Sequence, residues 1–320
     1  MLQPKIVVLD GYTLNPGDIS WTALEALGTT EIYEESTPSE AIVRGKDADI
    51  LIINKLDCHA DFLRQFPRLK CICLSATGYN NVDLEAASAQ GIVVCNAVAY
   101  GTESVAQHVF ALLLTLTNQV MLHHQSVQSG DWARCQNFSY HLQPIIELSG
   151  KTMGIYGFGR IGQQVATIAE AFGMQVLATH KHPKRDARPN VQFVSIETLF
   201  TQSDVISLHA PLSVKNRYIV NRQLFQLMQP TAYLINTGRG GLVHEADLKE
   251  ALASKQLAGA ALDVLNQEPP PLDHILMNVP NCIITPHQAW ASKSARERLM
   301  NITIANVRAF LAGAPQNCVT

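Results

Sequence analysis

The chain has little charge and no excess of one sign. Charged residues make up 16% of its 320 residues and the formal net charge is −3. That gives no electrostatic footprint for nucleic acid or an anionic membrane. Nor is there an apolar run long enough to cross a bilayer. The most apolar helical stretch, Val109 to Leu116, is short and ends in Thr117-Asn118-Gln119. No secretory leader precedes the first strand-like run, Lys5-Ile-Val-Val-Leu. Cysteine spacing of the metal-binding kind is missing too. Most of Cys58, Cys71, Cys73, Cys95, Cys135, Cys282 and Cys318 sit in apolar runs, and Cys71 and Cys73 are too close for the usual zinc or redox pairing. Reduced structural thiols in a cytoplasmic protein are expected. Solenoid-period repeats and low-complexity tracts are absent.

What is present is 47% apolar residues, enough for more than one core, in a chain whose length points to two domains. The first hundred residues alternate strand-like IVVLD, EIYEES, DILIINK, LKCICLS and IVVCNA with helix-like DISWTALEAL, PSEAIVRGKDA, DFLRQF and VDLEAASAQ. Thr37 as cap, Pro38 at the first helical position and Glu40 three residues after the cap form a helix start. A second series begins near Lys151 with MGIYGFG, MQVLATH, DVISLHA, AYLINTG, AGAALDV and CIITPH. Two such series predict an α/β protein with two doubly wound parallel-sheet domains. A long helix over about 102–129 is expected to join them, and a last helix over about 292–311 follows the final strand.

Gly157-Phe158-Gly159-Arg160-Ile161-Gly162 follows an apolar strand and opens a helix. In that context the three glycines serve a tight turn, close approach of backbone to a pyrophosphate, and tight helix–sheet packing. The helix N-terminus offers free N–H groups to phosphate. A dinucleotide is the expected ligand. In the NAD form an acid ends the next strand and takes the ribose hydroxyls. Here that place is His180, followed by Lys181, Lys184 and Arg185. An acid would repel a 2′-phosphate and cations would hold it. The cofactor expected is therefore NAD(P)H, with NADPH slightly favoured over NADH. The alternative is a merely solvated basic loop.

Three later strand ends carry polar groups: Asn236-Thr237-Gly238-Arg239, then Asp263 with Glu268 following, then Thr285-Pro286-His287. Ligands bind at strand C-termini in open α/β sheets. Arg239 suits a carboxylate, and a His beside a Glu suits proton transfer to a reduced carbonyl.

Six ordered motifs along essentially the whole chain resemble the D-isomer-specific 2-hydroxyacid dehydrogenases: SATGYNNVDLEAASAQGIVVCN, AYGTESVAQHVFALLL, GFGRIG, SLHAPL, LINTGRGGLV with ALDV…EP, and TPHQAW. Within that family the pattern is most similar to the glycerate dehydrogenases, also called hydroxypyruvate reductases. The resemblance implies that Arg239 binds the carboxylate and keto oxygen of a small 2-keto acid, that His287 is the acid/base, and that Glu268 helps it hold its proton. It implies that Thr77 and Gly78 bind the carboxylate through backbone N–H groups. Asp263 and Thr237, with Gly238 beside them, would orient the nicotinamide amide; His209, Ala210 and Pro211 would flank the adenosine; Thr102 and His287 would lie near the nicotinamide. It further implies a Rossmann nucleotide-binding domain at 101–289 inserted in a flavodoxin-like substrate domain at 1–100 and 290–320. A cleft between them would close on the substrate, with Tyr79, Tyr100 and Trp290 as pocket walls. The long helix and the Trp132 segment resemble homodimer contacts. Two positions depart from the family pattern: His180 for the acid, and Val98 for the proline of N-x-P-x-Y. A 3-phosphoglycerate, phosphite or D-lactate-type dehydrogenase remains open, as does a dinucleotide-sensing regulator of the corepressor type; Glu268 argues against formate oxidation.

Overall fold

A computed structural model of the chain describes residues 3–320. It folds as two compact units. The first runs to Gly101 and resumes at Trp290–Thr320; the second is Thr102–Ala289.

In the first unit, strands β1 (Lys5–Val8), β2 (Thr29–Ile32), β3 (Ile50–Ile53), β4 (Cys71–Leu74) and β5 (Val93–Cys95) form a parallel sheet in the order β2-β1-β3-β4-β5. This is the flavodoxin-like order. Because side chains alternate across a strand, each run supplies both faces. Val7, Leu51, Ile53, Ile72, Leu74 and Val94 pack under the helices that carry Ala41, Phe62, Leu63 and Ala87. Ile6, Val8, Ile50, Ile52, Cys71, Cys73 and Cys95 pack on the opposite face against Leu299, Met300, Ile304 and Val307 of the helix Lys293–Leu311. Each buried leucine there is worth about 2–5 kcal/mol against truncation to alanine. Helix Pro38–Gly45 begins with a full capping box between Thr37 and Glu40.

Two expectations shift here. The second strand is Thr29–Ile32 rather than EIYEES, because its register with β1 pairs Lys5 with Thr29. Only Thr22–Glu25 of DISWTALEAL is helical. The Asn15 side chain accepts the N–H groups of Gly17 and Ile19, which holds the chain before it in a turn.

The second unit has seven parallel strands: β6 (Thr152–Tyr156), β7 (Gln175–Thr179), β8 (Val191–Phe193), β9 (Val205–Leu208), β10 (Tyr233–Asn236), β11 (Gly259–Leu262) and β12 (Cys282–Ile284). Their order is β12-β11-β10-β9-β6-β7-β8, the Rossmann arrangement extended by one strand. The chain winds outward in both directions from β6 and β9. The ends of these two strands mark the switch point where such sheets bind ligands. Strand β8 was not expected; it is a three-residue edge strand with little apolar signal.

The single helix expected over 102–129 is two, Thr102–Asn118 and Val120–Gln128, bent by 55°. Gln119 adopts a left-handed φ of 51°, and its side-chain amide donates to the Leu116 carbonyl that a continuing helix would use. Among the described residues no single helix is long and apolar enough to cross a membrane.

Candidate active site

Strand β6 ends at the glycine turn. Gly157 has a φ of +99°, and a Cβ there would stand 2.5 Å from the Ala210 nitrogen. A Cβ at Gly162 would stand 2.4 Å from the Gly157 carbonyl oxygen. Only glycine permits these approaches, and they press the loop after β9 against the turn. Gly159 is different: a Cβ would meet nothing within 4 Å, so its face is open. It precedes helix Arg160–Ala171, and no side chain caps that helix start. The first N–H groups of the helix are thus available to an anion. Phe158 has its side chain buried in the core, edge-on to Phe193, so only its backbone faces the turn. Ile161 packs partly into the same core, whereas Arg160 is exposed.

His209 donates its backbone N–H to the Tyr156 carbonyl. Its ring Nε2 meets Ser207 Oγ at 2.8 Å, and burial of the ring pushes its pKa down to about 3, so it is neutral. His209 Nδ1 and Thr237 Oγ1 are buried without hydrogen-bond partners among the described residues. Unmet buried polar atoms are costly, and a bound ligand is one way to satisfy them. An open glycine face, an uncapped helix start and these two orphans on the loops after β9 and β10 fit a dinucleotide. Pro211 follows, exposed, its carbonyl taken by the Asn216 amide.

At the end of β7 the structure adds an acid missed from the sequence. His180 Nε2 lies 2.6 Å from Asp186 Oδ2, and Arg185 grips the same carboxylate through Nε and Nη2. Arg185 first, then His180, holds the Asp186 carboxyl below its usual range. Six residues separate Asp186 from the strand end, which hid it from a motif-based search. Lys181 and Lys184 are exposed.

Strands β10, β11 and β12 end in register, with Asn236 opposite Leu262 and Leu262 opposite Ile284. The loops beyond them carry Arg239, Asp263 with Glu268, and His287. The Asn236 side chain ties the first loop together, accepting from the Gly238 N–H and donating to the Arg239 carbonyl. A Cβ on Gly240 would stand 2.0 Å from the Leu265 carbonyl carbon, so this loop lies directly on the backbone leading to Glu268. Arg239 is half-buried; one Nη donates to the Gly238 carbonyl, leaving other guanidinium donors.

Asp263 is 1% exposed and organises the last loop. Its carboxylate accepts from Thr285 Oγ1 and the N–H groups of Gln288 and Ala289, and its carbonyl accepts from the His287 N–H. His108, a residue not anticipated, bonds Thr285 Oγ1 and lies 3.4 Å from Asp263. Burial raises the Asp263 pKa, but His108, Thr285 and the backbone donors outweigh it, so the carboxyl stays below its ordinary value. Asp263, the residue expected at the nicotinamide amide, holds the His287 loop. That loop places His287 at a left-handed φ of 52°, an uncommon conformation for a non-glycine residue. The ring's Nδ1 is 2.6 Å from Glu268 Oε2, while Glu268 Oε1 accepts the Leu265 N–H. With Nδ1 on the carboxylate, Nε2 is the atom left for a reacting group.

In the first unit, Thr77 and Gly78 lie just beyond β4. Thr77 donates its hydroxyl to the Ala97 carbonyl and accepts from the Asn96 amide. Tyr79 is exposed, while Tyr100 and Trp290 stack edge-to-face in the first unit. Thr102 opens its helix in the second.

Residues 110–289 match the family described as D-isomer specific 2-hydroxyacid dehydrogenase, NAD binding domain. The chain is 44% identical to a hydroxypyruvate reductase of Blautia hydrogenotrophica over 98% of its own length and 99% of that protein. It is equally, 44%, identical to a glycerate dehydrogenase of Methylorubrum extorquens over 90% of each. The solved NADPH-dependent glyoxylate/hydroxypyruvate reductase of Sinorhizobium meliloti, in complex with NADP and malonate, matches with a TM-score of 0.83 at 28% identity, over 99% of this chain and 97% of that one. Fold, site and relatives together define an NAD(P)-dependent oxidoreductase. The chain belongs to the D-isomer specific 2-hydroxyacid dehydrogenase family.

Proposed function

We propose that this enzyme reduces a small 2-keto acid, hydroxypyruvate or glyoxylate, to the D-2-hydroxy acid. The observation that carries the reading is the His287–Glu268 pair at 2.6 Å, set beyond strand ends in register with the one leading to Arg239. The glycine turn would hold a reduced nicotinamide dinucleotide, which would supply hydride to the keto carbon. Arg239 takes the substrate carboxylate and polarises the keto oxygen. His287 gives its Nε2 proton to the oxygen, while Glu268 stabilises the charged ring before transfer and fixes its orientation. Asp263, Thr285 and His108 act through position, by holding the His287 backbone. The test is nicotinamide absorbance in the presence of hydroxypyruvate, glyoxylate and pyruvate. Failure to oxidise either reduced cofactor with any of them would overturn the enzyme reading and favour a regulator.

The cofactor reading is NADPH used at least as well as NADH. A 2′-phosphate would draw Arg185 from Asp186, with Lys181 beside it, whereas a free ribose would meet the Asp186 carboxylate. A native preference for NADH of about tenfold or more would end that reading.

A homodimer is proposed from residues 120–145. They expose Val120, Met121, Trp132, Phe138 and Ile145, with Phe138 at 92% exposure. Large apolar side chains left exposed along one segment suit an interaction surface. Sedimentation equilibrium should give twice the chain mass. The cysteines, all free, suit a reducing cytoplasm.

A further inference from the structure

Four of the thiols converge in the first unit, outside the site described above. Cys71, Cys73 and Cys95 share the sheet face under helix Lys293–Leu311, because all three occupy the same side of their strands. Cys71 and Cys73 Sγ are 3.7 Å apart, and Cys95 Sγ is 3.9 Å from Cys318 Sγ. Three of these cysteines are buried; Cys318 is exposed. Among the described residues no group of three or more His, Cys, Asp or Glu side chains is arranged to hold a metal ion.

Residues 317–319 lie along the outer edge of β5. Asn96 donates its N–H to the Asn317 carbonyl at 3.0 Å, and Val319 donates to the Val94 carbonyl at 2.9 Å. Cys95 and Cys318 face each other between these two bonds as an antiparallel pair. Neither bonds the other through backbone, so they form a non-hydrogen-bonded pair. Such pairs bring Cα atoms to about 4.5 Å and side chains closest together. That separation lies inside the range a disulfide spans, so only side-chain rotation is needed to close the sulfurs to about 2.05 Å.

We propose that Cys95 and Cys318 are an oxidation site at which hydrogen peroxide forms a disulfide and fastens residues 317–319 to the edge of β5. Cys318, the exposed member, gives up its thiol proton and attacks one peroxide oxygen. An S–O bond forms, the O–O bond breaks, and the departing hydroxide takes a proton to become water. Cys95 then attacks the sulfenic sulfur; an S–S bond forms, the S–O bond breaks, and a second water leaves. Two thiols and one peroxide give one disulfide and two waters. A dithiol reverses the change. Cys95 Sγ, 3.9 Å from Cys318 Sγ, is placed for the second attack.

The link would act where β5 leaves the sheet. Asn96, next to Cys95, donates its amide to the Thr77 carbonyl and accepts from the Asn306 amide on its own carbonyl, and Asn306 in turn accepts from Asn317. Oxidation would thus fix one end of a hydrogen-bond chain that reaches Thr77.

The test treats the reduced full-length protein with one equivalent of hydrogen peroxide, blocks the remaining thiols and maps the peptides. The expected result is loss of two thiols per chain, a Cys95–Cys318 linked peptide that dithiothreitol releases, and slower amide exchange at Val319. Cys318→Ser should abolish the link and Cys135→Ser should leave it intact. Cys318 oxidised to sulfinic acid without a link, a link through Cys135, or no thiol loss would each overturn the proposal. Should Cys95→Ser fail to fold, the exposed Cys318→Ser carries the test alone.

Discussion

The end of β7 and the ends of β10, β11 and β12 belong to one sheet and point the same way, yet they are built on different principles. Beyond β10–β12, a nearly inaccessible carboxylate, Asp263, fixes the loop through side-chain and backbone donors, and a glycine lets a second loop lie on the backbone of the third. Beyond β7, an exposed arginine grips its sequence neighbour and a histidine completes the cluster. A buried network has one arrangement, because each member left unpaired is costly. An ion pair whose arginine is exposed, as Arg185 is, exchanges partners cheaply, even though His180 and Asp186 are themselves largely covered. Proton transfer needs the first kind of construction; choosing between a hydroxyl and a phosphate tolerates the second.

The sharpest way to break this contrast is at His287. His287→Gln keeps a polar group but removes the transferable proton. Keto-acid reduction should fall by about a thousandfold, within the range expected for a lost general acid, with cofactor affinity measured by nicotinamide fluorescence unchanged. Near-normal turnover would show that the pair with Glu268 is structural.

Next in size is Asp263→Asn. The amide keeps the shape but turns an N–H toward the Gln288 and Ala289 N–H groups it should accept. The loop would shift, and a displacement of about an ångström at a reacting group costs about a hundredfold. The loss should appear in kcat, with cofactor affinity less affected. If instead cofactor affinity falls with kcat preserved, Asp263 serves the nicotinamide and not the loop.

Much of this contrast was legible before any coordinates. Runs such as ILII and CICL read as strands because both faces of a parallel sheet are buried, and those runs are β3 and β4. The strand ends that carry Arg239, Asp263 and His287 were legible for the same reason, since each closes an apolar run. What escaped was set by contacts distant in sequence or by weak local signals. Nothing in Leu116-Thr117-Asn118-Gln119 announces a 55° bend; there is neither glycine nor proline, and a side-chain amide takes the carbonyl. His108 stands 155 positions before the Asp263 it supports, on a helix with its own apolar logic. Asp186 was hidden because a fingerprint looks for an acid at the strand end, while this one arrives from a loop.

The smallest effects should come from that loop, where the contrast is sharpened by two substitutions of opposite sign. His180→Asp removes a hydrogen-bond partner of Asp186 and sets a second carboxylate beside it. Two like charges repel a 2′-phosphate, so the ratio of kcat/KM for NADPH to that for NADH should fall, by about tenfold. Asp186→Asn releases Arg185 and removes the charge that holds it, so the same ratio should rise, by only about two- to fivefold because an exposed ion pair is worth little. Both variants should keep the keto-acid KM, since neither touches the loops beyond β10–β12. Raising the salt concentration should shrink the change in Asp186→Asn, as it screens exposed charges. If the ratio moves in the same direction in both variants, the cluster acts by propping the loop and not by presenting charge, and the cofactor is chosen elsewhere in the turn.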